Sequence, residues 1–262
     1  TIPRESPFAM PFEVIIVPCR SDNYAYLIHA NGQTALVDAP EAGPIVNELA
    51  ARGWSLDEIW ITHHHGDHVE GVEELRERHG ALVRGGAADR DRLPRLDVEL
   101  DDGATFQFAG SDVHVLDVSG HTIGHIAFHI PDAKAAFTAD SLMALGCGRV
   151  FEGTMDQMWA SLSRLAALPD DTLIYSGHEY TLANARFAVT IEPDNPHLMS
   201  RIEDINRARS AGEPTVPASL ALEKATNPFL RAGLSSVKSY LNMSGESDAN
   251  VFAEIRRRKD SF

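Results

Sequence analysis

The sequence predicts an α/β domain at residues 1–175 followed by a smaller, all-helical domain at residues 176–262. Up to residue 175, short runs rich in Val, Ile and Phe alternate with turns and with three stretches of helical spacing. After His178 the candidates for helices follow one another without a further run that has the composition of a strand. This change from mixed strands and helices to helices alone predicts a domain boundary near residue 175.

The individual elements follow from the same patterns. The Asn31-Gly32 pair is typical of a tight hairpin turn between two strands. The predicted strands are residues 12–18, 24–29, 34–37, 58–62, 82–83, 105–108, 113–118, 126–130, 135–138 and 172–175. The predicted helices are residues 41–52, 69–79 and 155–168 in the first domain, and 180–190, 197–209, 218–224 and 250–259 in the second. We expect residues 1–9 to be an extension that the fold does not need.

Bulk composition excludes several classes of protein. The net charge of -15 argues against a general nucleic-acid binder, which needs a surplus of Lys and Arg. Only two cysteines occur, so a disulfide scaffold is excluded. No run approaches the roughly 18 apolar residues that span a bilayer, and the first residues lack a secretory signal pattern. We therefore expect a cytoplasmic monomer with neither nucleic acid nor membrane as a partner.

A histidine-rich run follows the predicted strand at residues 58–62. His63, His65, Asp67 and His68 place four groups with free lone pairs within six residues. Alternate residues after a strand face the same way, so His63 and His65 can bind one ion together while His64 points elsewhere. If Asp67 and His68 begin the next helix, they lie beside the first pair and can hold a second ion.

Three later strands end in the same kind of residue. His121, Asp140 and His178 each follow a predicted strand by a few positions, on loops where α/β folds commonly place functional groups. We expect these strand ends to meet at one edge of the sheets, which predicts a site for two divalent ions. Zinc is the favoured ion, and iron and manganese suit the same ligands.

These motifs resemble the metallo-β-lactamase superfamily, whose fold is an αββα sandwich of two packed sheets with helices outside. The superfamily pattern H-x-H-x-D-H matches residues 63–68 in full. The resemblance implies two metal sites bridged by Asp140. It assigns the first ion to His63, His65 and His121, and the second ion to Asp67, His68 and His178.

A narrower resemblance covers nearly the whole chain from Met10. Segments around residues 22–24, 146–154, 177–180, 227–231 and 256–260 are similar to glyoxalase II, the hydroxyacylglutathione hydrolase family. That resemblance implies a C-terminal domain that helps to bind a glutathione thioester. The substrate contacts that it implies are Arg149, Val150, Phe151, Tyr180, Arg256 and Lys259.

The implied reaction is hydrolysis of the thioester of S-D-lactoylglutathione to D-lactate and glutathione, the second step of methylglyoxal detoxification. A hydroxide held between the two ions would attack the thioester carbon, with Asp67 and Asp140 as the catalytic carboxylates. Two alternatives stay open. One is a persulfide dioxygenase of the same fold that uses a single iron, and the other is a non-enzymatic metal-binding module.

Overall fold

The computed structural model describes residues 12–262, so the predicted extension at residues 1–9 lies outside the described part of the chain. Two six-stranded sheets form its centre. The first sheet contains β1 (Glu13–Cys19), β2 (Asn23–Ala30), β3 (Gln33–Val37), β4 (Glu58–Trp60), β5 (Leu82–Gly86) and β6 (Val98–Leu100). The second contains β7 (Thr105–Phe108), β8 (Ser111–Asp117), β9 (Ile126–Ile130), β10 (Ala135–Ala139), β13 (Leu173–Ser176) and β14 (Ala218–Ser219). A separate small hairpin consists of β11 (Leu142–Met143) and β12 (Gly146–Cys147).

The helices complete the element list. They are α1 (Ala42–Arg52), α2 (Gly66–Val69), α3 (Val72–His79), α4 (Met155–Ala166), α5 (Thr181–Ile191), α6 (Pro196–Ser210), α7 (Leu220–Thr226), α8 (Ser235–Tyr240) and α9 (Asp248–Ser261). Two 3₁₀ turns occur as well, at Ala87–Asp89 and Pro131–Ala133. Within residues 12–262 none of the helices combines the length and apolar character needed to cross a membrane.

The first sheet is antiparallel on one side and parallel on the other. Strands β1, β2 and β3 pair antiparallel through hairpins, and β3 to β6 run parallel in chain order. Asn31 and Gly32 have φ values of 50° and 75°, the left-handed conformation that a two-residue hairpin turn requires. The predicted hairpin is thus confirmed. Parallel neighbours need long crossovers, which α1 supplies between β3 and β4, and α2 with α3 between β4 and β5.

Side chains that alternate along the strands divide the interior into layers. In β2, Tyr26 faces the core between the two sheets, whereas Leu27 faces the core under α1 and α3. Trp60 is completely buried in the inner core, and the centres of the Trp60 and Phe108 rings are 5.2 Å apart. Each large apolar side chain that is fully buried contributes about 1.5–3 kcal/mol. The layers confirm the predicted αββα sandwich.

The C-terminal helices share a hydrophobic cluster with the second sheet. Phe187 of α5 and Phe252 of α9 belong to the same buried cluster as Leu162 of α4 and Ile174 of β13. These helices therefore pack against the second sheet, whose strands lead to His121, Asp140 and His178. The division into domains at residues 175 and 176 stays a prediction.

Several element predictions were wrong in detail. Residues 218–224 were predicted as one helix, but β14 first pairs with β13 before α7 begins. Strands β6, β11 and β12 and helix α8 were not predicted. The predicted helix at 69–79 is divided between α2 and α3, because the Gly71 backbone N–H donates to the Ala39 carbonyl at 2.8 Å instead of continuing the helical hydrogen bonds.

The start of α4 offers a test of local stability. The Thr154 hydroxyl accepts a hydrogen bond from the Gln157 backbone at 3.1 Å, and the Gln157 side chain accepts one from the Thr154 backbone at 2.8 Å. We expect Thr154→Ala to lower the free energy of unfolding by about 1 kcal/mol in urea denaturation. Ser163→Ala is the matched control on the exposed face of the same helix and should change it by less than about 0.5 kcal/mol. Equal midpoints for the two variants would contradict this account of the cap.

Candidate metal centre

The structure brings the strand-end residues together at one edge of the two sheets. His63 and His65 follow β4, while Asp67 and His68 lie in α2, directly beyond them. From the second sheet, His121 follows β8, Asp140 follows β10 and His178 follows β13. Four strands from two sheets thus deliver histidine and aspartate side chains to one place.

Three of the histidines form a first cluster. His65 Nδ1 lies 3.2 Å from His63 Nε2 and 3.1 Å from His121 Nε2. One nitrogen from each of the three rings can therefore face a single ion. His63 and His121 are buried and His65 is partly buried, so the cluster lies at the boundary between core and solvent.

A second cluster consists of Asp67, His68 and His178. Asp67 Oδ2 lies 3.5 Å from His178 Nε2 and 3.8 Å from His68 Nε2. Asp140 stands between the two clusters: its Oδ2 atom is 3.4 Å from His121 Nε2 and 3.3 Å from His178 Nε2. Its other oxygen is 3.5 Å from His68 Nε2. The Asp140 carboxylate therefore faces residues of both clusters.

The residues fit two divalent cations. His68 Nε2 and Asp140 Oδ1 are buried and have no hydrogen-bond partner within residues 12–262, a situation that costs about 1–3 kcal/mol per group. A cation next to both atoms would remove that cost. Imidazole nitrogens and carboxylate oxygens are also the donors that zinc, iron and manganese accept in proteins.

Burial and neighbouring charges set the protonation of the cluster. Burial lowers the pKa of His63 well below its ordinary value, so its ring is neutral and keeps a free lone pair. Burial opposes ionisation of Asp140, but the neighbouring His68 and His178 outweigh it and hold its pKa well below the usual range. For His68, burial lowers the pKa, but the carboxylates of Asp140 and Asp38 outweigh burial and raise the pKa well above its ordinary value. A proton and a cation would therefore compete for this ring.

A further group formed by Asp38, His63 and His68 also brings ligand atoms close together. The Asp38 carboxylate, however, already accepts hydrogen bonds from the Thr62 backbone and hydroxyl, each at 2.8 Å, and from His68 Nδ1 at 2.8 Å. We therefore interpret Asp38 as the residue that orients His68 rather than as a ligand.

Other ligands are held in the same way by partners that the sequence analysis did not assign. A fixed partner on one side of a ligand sets the direction of its lone pair. These partners are Asp22 for His178 at 2.9 Å, Asn23 for Asp67 at 3.1 Å, Thr62 for His63 at 3.0 Å and the Arg149 carbonyl for His121 at 2.7 Å. Asp38 directly follows β3, so the strand-end pattern that indicated the other residues of the site would also have indicated Asp38.

His64 faces away from both clusters. Its Nδ1 atom lies 3.1 Å from Asp89, and its Nε2 atom lies 3.5 Å from Glu152. His125 is completely buried and stacks on His63, and burial lowers its pKa to about 3. It is neutral and accepts a hydrogen bond from the Asp140 backbone at 3.3 Å.

A cavity of about 390 Å³ opens beside the two clusters. Residues from both the sheet region and the C-terminal helices line it, and they include Arg149, Phe151, Tyr180, Asn184, Arg256 and Lys259. The Tyr180 ring stacks on His178, with centroids 4.6 Å apart and an interplanar angle of 6°. Val150 differs from its neighbours, since its side chain packs against the hydrophobic cluster under the second sheet. Val150 is not among the residues that line the cavity.

The two C-terminal cations have different surroundings. Arg256 is buried, donates to the Cys147 carbonyl at 2.8 Å and pairs with Asp260 at 2.9 Å. Within residues 12–262 Lys259 forms no ion pair of this kind, and its Nζ atom lies 5.4 Å from the centre of the Phe187 ring. Arg256 therefore supports the loop at Cys147 as well as the cavity wall, whereas Lys259 belongs to the wall alone.

A second cavity, of about 460 Å³, lies between α5, α6 and α8. Two of its charged lining residues are already paired with each other, because Arg231 forms hydrogen bonds with both carboxylate oxygens of Glu192 at 2.7 and 2.9 Å. It lies apart from both histidine clusters, so we place the chemistry in the smaller cavity.

The αββα fold and the clustered His and Asp residues define a metallo-β-lactamase-like protein, and comparison with known proteins confirms this class. Residues 20–178 match the model of the metallo-β-lactamase superfamily, and residues 179–262 match the C-terminal model of hydroxyacylglutathione hydrolase. Within that superfamily, the chain belongs to the hydroxyacylglutathione hydrolase family. A hydroxyacylglutathione hydrolase from Roseobacter denitrificans is 64% identical over 97% of this chain and all of its own length. One from Rhizobium meliloti is 52% identical over 95% of this chain and 98% of its own.

Solved structures agree on the fold. ETHE1 from Myxococcus xanthus matches 95% of this chain and 90% of its own length, with a TM-score of 0.65 and 26% identity. TTHA1623 in a di-iron-bound form matches 83% of this chain and all of its own length, with a TM-score of 0.59 and 24% identity.

Gly148 provides a test of how tightly the centre is packed. A Cβ atom at this position would lie 1.9 Å from the Asp140 carbonyl oxygen and 3.0 Å from His121 Nδ1. We expect Gly148→Ala to displace Asp140 and to reduce the bound metal, measured by elemental analysis, to less than half of the wild-type content. Gly43→Ala is the control, since space is open there and Ala favours a helix. Full metal content in the Gly148 variant would contradict the close approach.

Proposed function

We propose that this protein hydrolyses the thioester of S-(2-hydroxyacyl)glutathione, with S-D-lactoylglutathione as the first candidate substrate. The products are a 2-hydroxy acid and glutathione. The observation that carries the proposal is the position of the two histidine clusters at the base of a cavity whose other walls hold cations from the C-terminal helices. Membership of the hydroxyacylglutathione hydrolase family supports the same substrate.

In this proposal His63, His65 and His121 would hold one cation, Asp67, His68 and His178 would hold the other, and Asp140 would be a ligand of both. Two divalent cations lower the pKa of bound water toward about 7 and polarise a carbonyl oxygen. Zinc is the ion that we propose, and the same donors accept iron and manganese.

The chain supplies orientation around the reacting carbonyl. The Asp67 side chain is partly exposed to the cavity, and Asn23 fixes one of its oxygens at 3.1 Å. It can therefore accept a hydrogen bond from the attacking water and hold its direction. The leaving thiol has a pKa near 8.5 and departs as thiolate, so the reaction needs no side chain to protonate it.

Charge complementarity favours an anionic substrate in the outer cavity. Arg149 is largely exposed there, and Lys259 and Arg256 line the deeper wall. Burial and the nearby Arg256 lower the pKa of Lys259, so a carboxylate of the substrate would relieve the repulsion between them. Phe151 is 61% exposed and stands edge-on to the His121 ring at 5.3 Å, where it offers an apolar wall.

The two alternative functions are not favoured by the family membership. Oxygen uptake with glutathione persulfide would indicate the dioxygenase, and metal binding without turnover would indicate the non-enzymatic module. The cytoplasmic location, the monomeric state and the lack of a nucleic-acid or membrane partner stay predictions from the sequence.

The first test combines an assay with a metal count. We expect the metal-replete protein to hold close to two ions per chain and to release free thiol from S-D-lactoylglutathione. Asp140→Ala should lose most of the activity and part of the metal, because it removes the group that faces both clusters. His64→Ala, in the same loop but turned away, should keep substantial activity. One ion per chain would overturn the two-metal scheme. Equal losses of activity in the Asp140 and His64 variants would overturn the conclusion that His64 faces away from the clusters.

Lys259 tests the substrate cavity. Its contact is remote from the reacting carbonyl, so it should contribute equally to the ground state and the transition state. We expect Lys259→Ala to raise KM for the glutathione thioester several-fold while kcat and metal content stay near wild type. Arg257→Ala, on an exposed part of the same helix, is the control and should leave KM unchanged. A fall in kcat for Lys259→Ala at constant KM would contradict the assignment.

A further inference from the structure

The β11–β12 hairpin connects Asp140 with Gly148 and Arg149, which line the cavity beside the two clusters. It begins two residues after Asp140, and Gly148 and Arg149 follow it directly. At its base, the Gly148 backbone donates to the Ser141 carbonyl at 3.1 Å, and the Arg149 carbonyl accepts from His121 Nδ1 at 2.7 Å. The position of this hairpin therefore affects residues that face both clusters.

Polar side chains of the C-terminal helices hold the tip of the hairpin. Asn227 donates to the carbonyls of Met143 and Gly146 at 3.1 and 3.0 Å, and Asn184 donates to the carbonyl of Ala144 at 3.0 Å. The turn between the two strands is thus fixed by side chains that lie more than 35 residues away in the sequence.

Glu223 of α7 completes this arrangement. Its Oε2 atom accepts the Leu145 backbone N–H at 3.0 Å and the Asn227 side chain at 3.1 Å. Leu145 has a φ of 54°, a conformation that a residue other than glycine adopts only where its surroundings fix it. The carboxylate bound to its N–H is one of those surroundings.

A buried arginine fixes Glu223 in turn. Glu223 is completely buried, and its Oε1 atom pairs with Arg201 of α6, which also donates to the Thr226 hydroxyl at 2.7 Å. A buried ion pair contributes little net stability compared with apolar side chains of the same volume, because both charges lose their hydration. Its geometry, by contrast, is well defined.

We propose that Glu223 is a positioning residue for the metal centre. Through the N–H of Leu145 it holds the β11–β12 hairpin in the one place that lets Asp140 face both clusters and lets the Arg149 carbonyl orient His121. The C-terminal helices thereby contribute to metal affinity in addition to lining the substrate cavity. The inference rests on the proposed metal site.

The experiment compares two doubly substituted proteins. Arg201→Met with Glu223→Gln removes both charges and keeps an oxygen that can accept from Leu145. Arg201→Met with Glu223→Met removes that acceptor at nearly the same volume. Affinity for Zn²⁺ alone is measured on the metal-free proteins by competition with a chromophoric chelator, and circular dichroism shows that each is folded.

We expect the Gln variant to bind Zn²⁺ like wild type and the Met variant to bind about tenfold more weakly, the low end of what partners of metal ligands contribute. The matched control is the Arg231–Glu192 pair, which lies in the same region without touching the hairpin. Arg231→Met with Glu192→Gln and Arg231→Met with Glu192→Met should bind Zn²⁺ equally.

Equal affinity of the two Glu223 variants, with wild type still binding two ions, would overturn the inference and leave the proposed function intact. Wild-type protein that binds no zinc would instead overturn the proposed function. If the Met variant does not fold, Asn184→Ala replaces it, since this change removes only the bond to the Ala144 carbonyl and leaves no buried charge. A several-fold loss of Zn²⁺ affinity there would support the inference, and unchanged affinity would overturn it.

Discussion

The buried carboxylate of Asp140 is the constraint around which the rest of the structure is organised. It lies between two clusters of histidines, within 3.5 Å of His68, His121 and His178. A carboxylate in such a place is stable only if positive charge surrounds it, from protonated imidazole or from cations. Both sheets end at this point, so their packing and the electrostatics of the centre depend on each other.

Close backbone packing keeps this carboxylate in place. Gly148 and Gly177 both lie against Asp140, where a Cβ atom would come within 1.9 Å of its carbonyl oxygen and 2.5 Å of Oδ1, respectively. The Asp140 backbone also donates to His125, a ring that burial keeps neutral. Gly148 and Gly177 therefore serve the close packing around Asp140.

The C-terminal helices contribute to the centre in two ways. They place Lys259 and Arg256 in the cavity wall, which suits an anionic substrate. They also carry Asn184, Glu223 and Asn227, whose side chains bind the peptide groups of the hairpin that follows Asp140. The cavity wall and the hairpin that follows Asp140 thus depend on the same set of helices, which share a hydrophobic cluster with the second sheet.

The sequence by itself determined the fold class, the hairpin at Asn31-Gly32 and the group of His and Asp residues at strand ends. These features depend on local periodicity and on the chemistry of single side chains, both of which can be read along the chain. The family resemblance added the pairing of ligands into two sets and the residues of the cavity.

Only the tertiary structure decided the partners of those residues. Asp38 orients His68 across 30 positions, and Glu223 holds Leu145 across 78 positions, so neither pairing leaves a local pattern. The short strand β14 and the break at Gly71 likewise form because distant backbone atoms lie next to them. Such contacts arise when the sheets and helices pack, and packing of distant segments is the part of folding that a single sequence does not display.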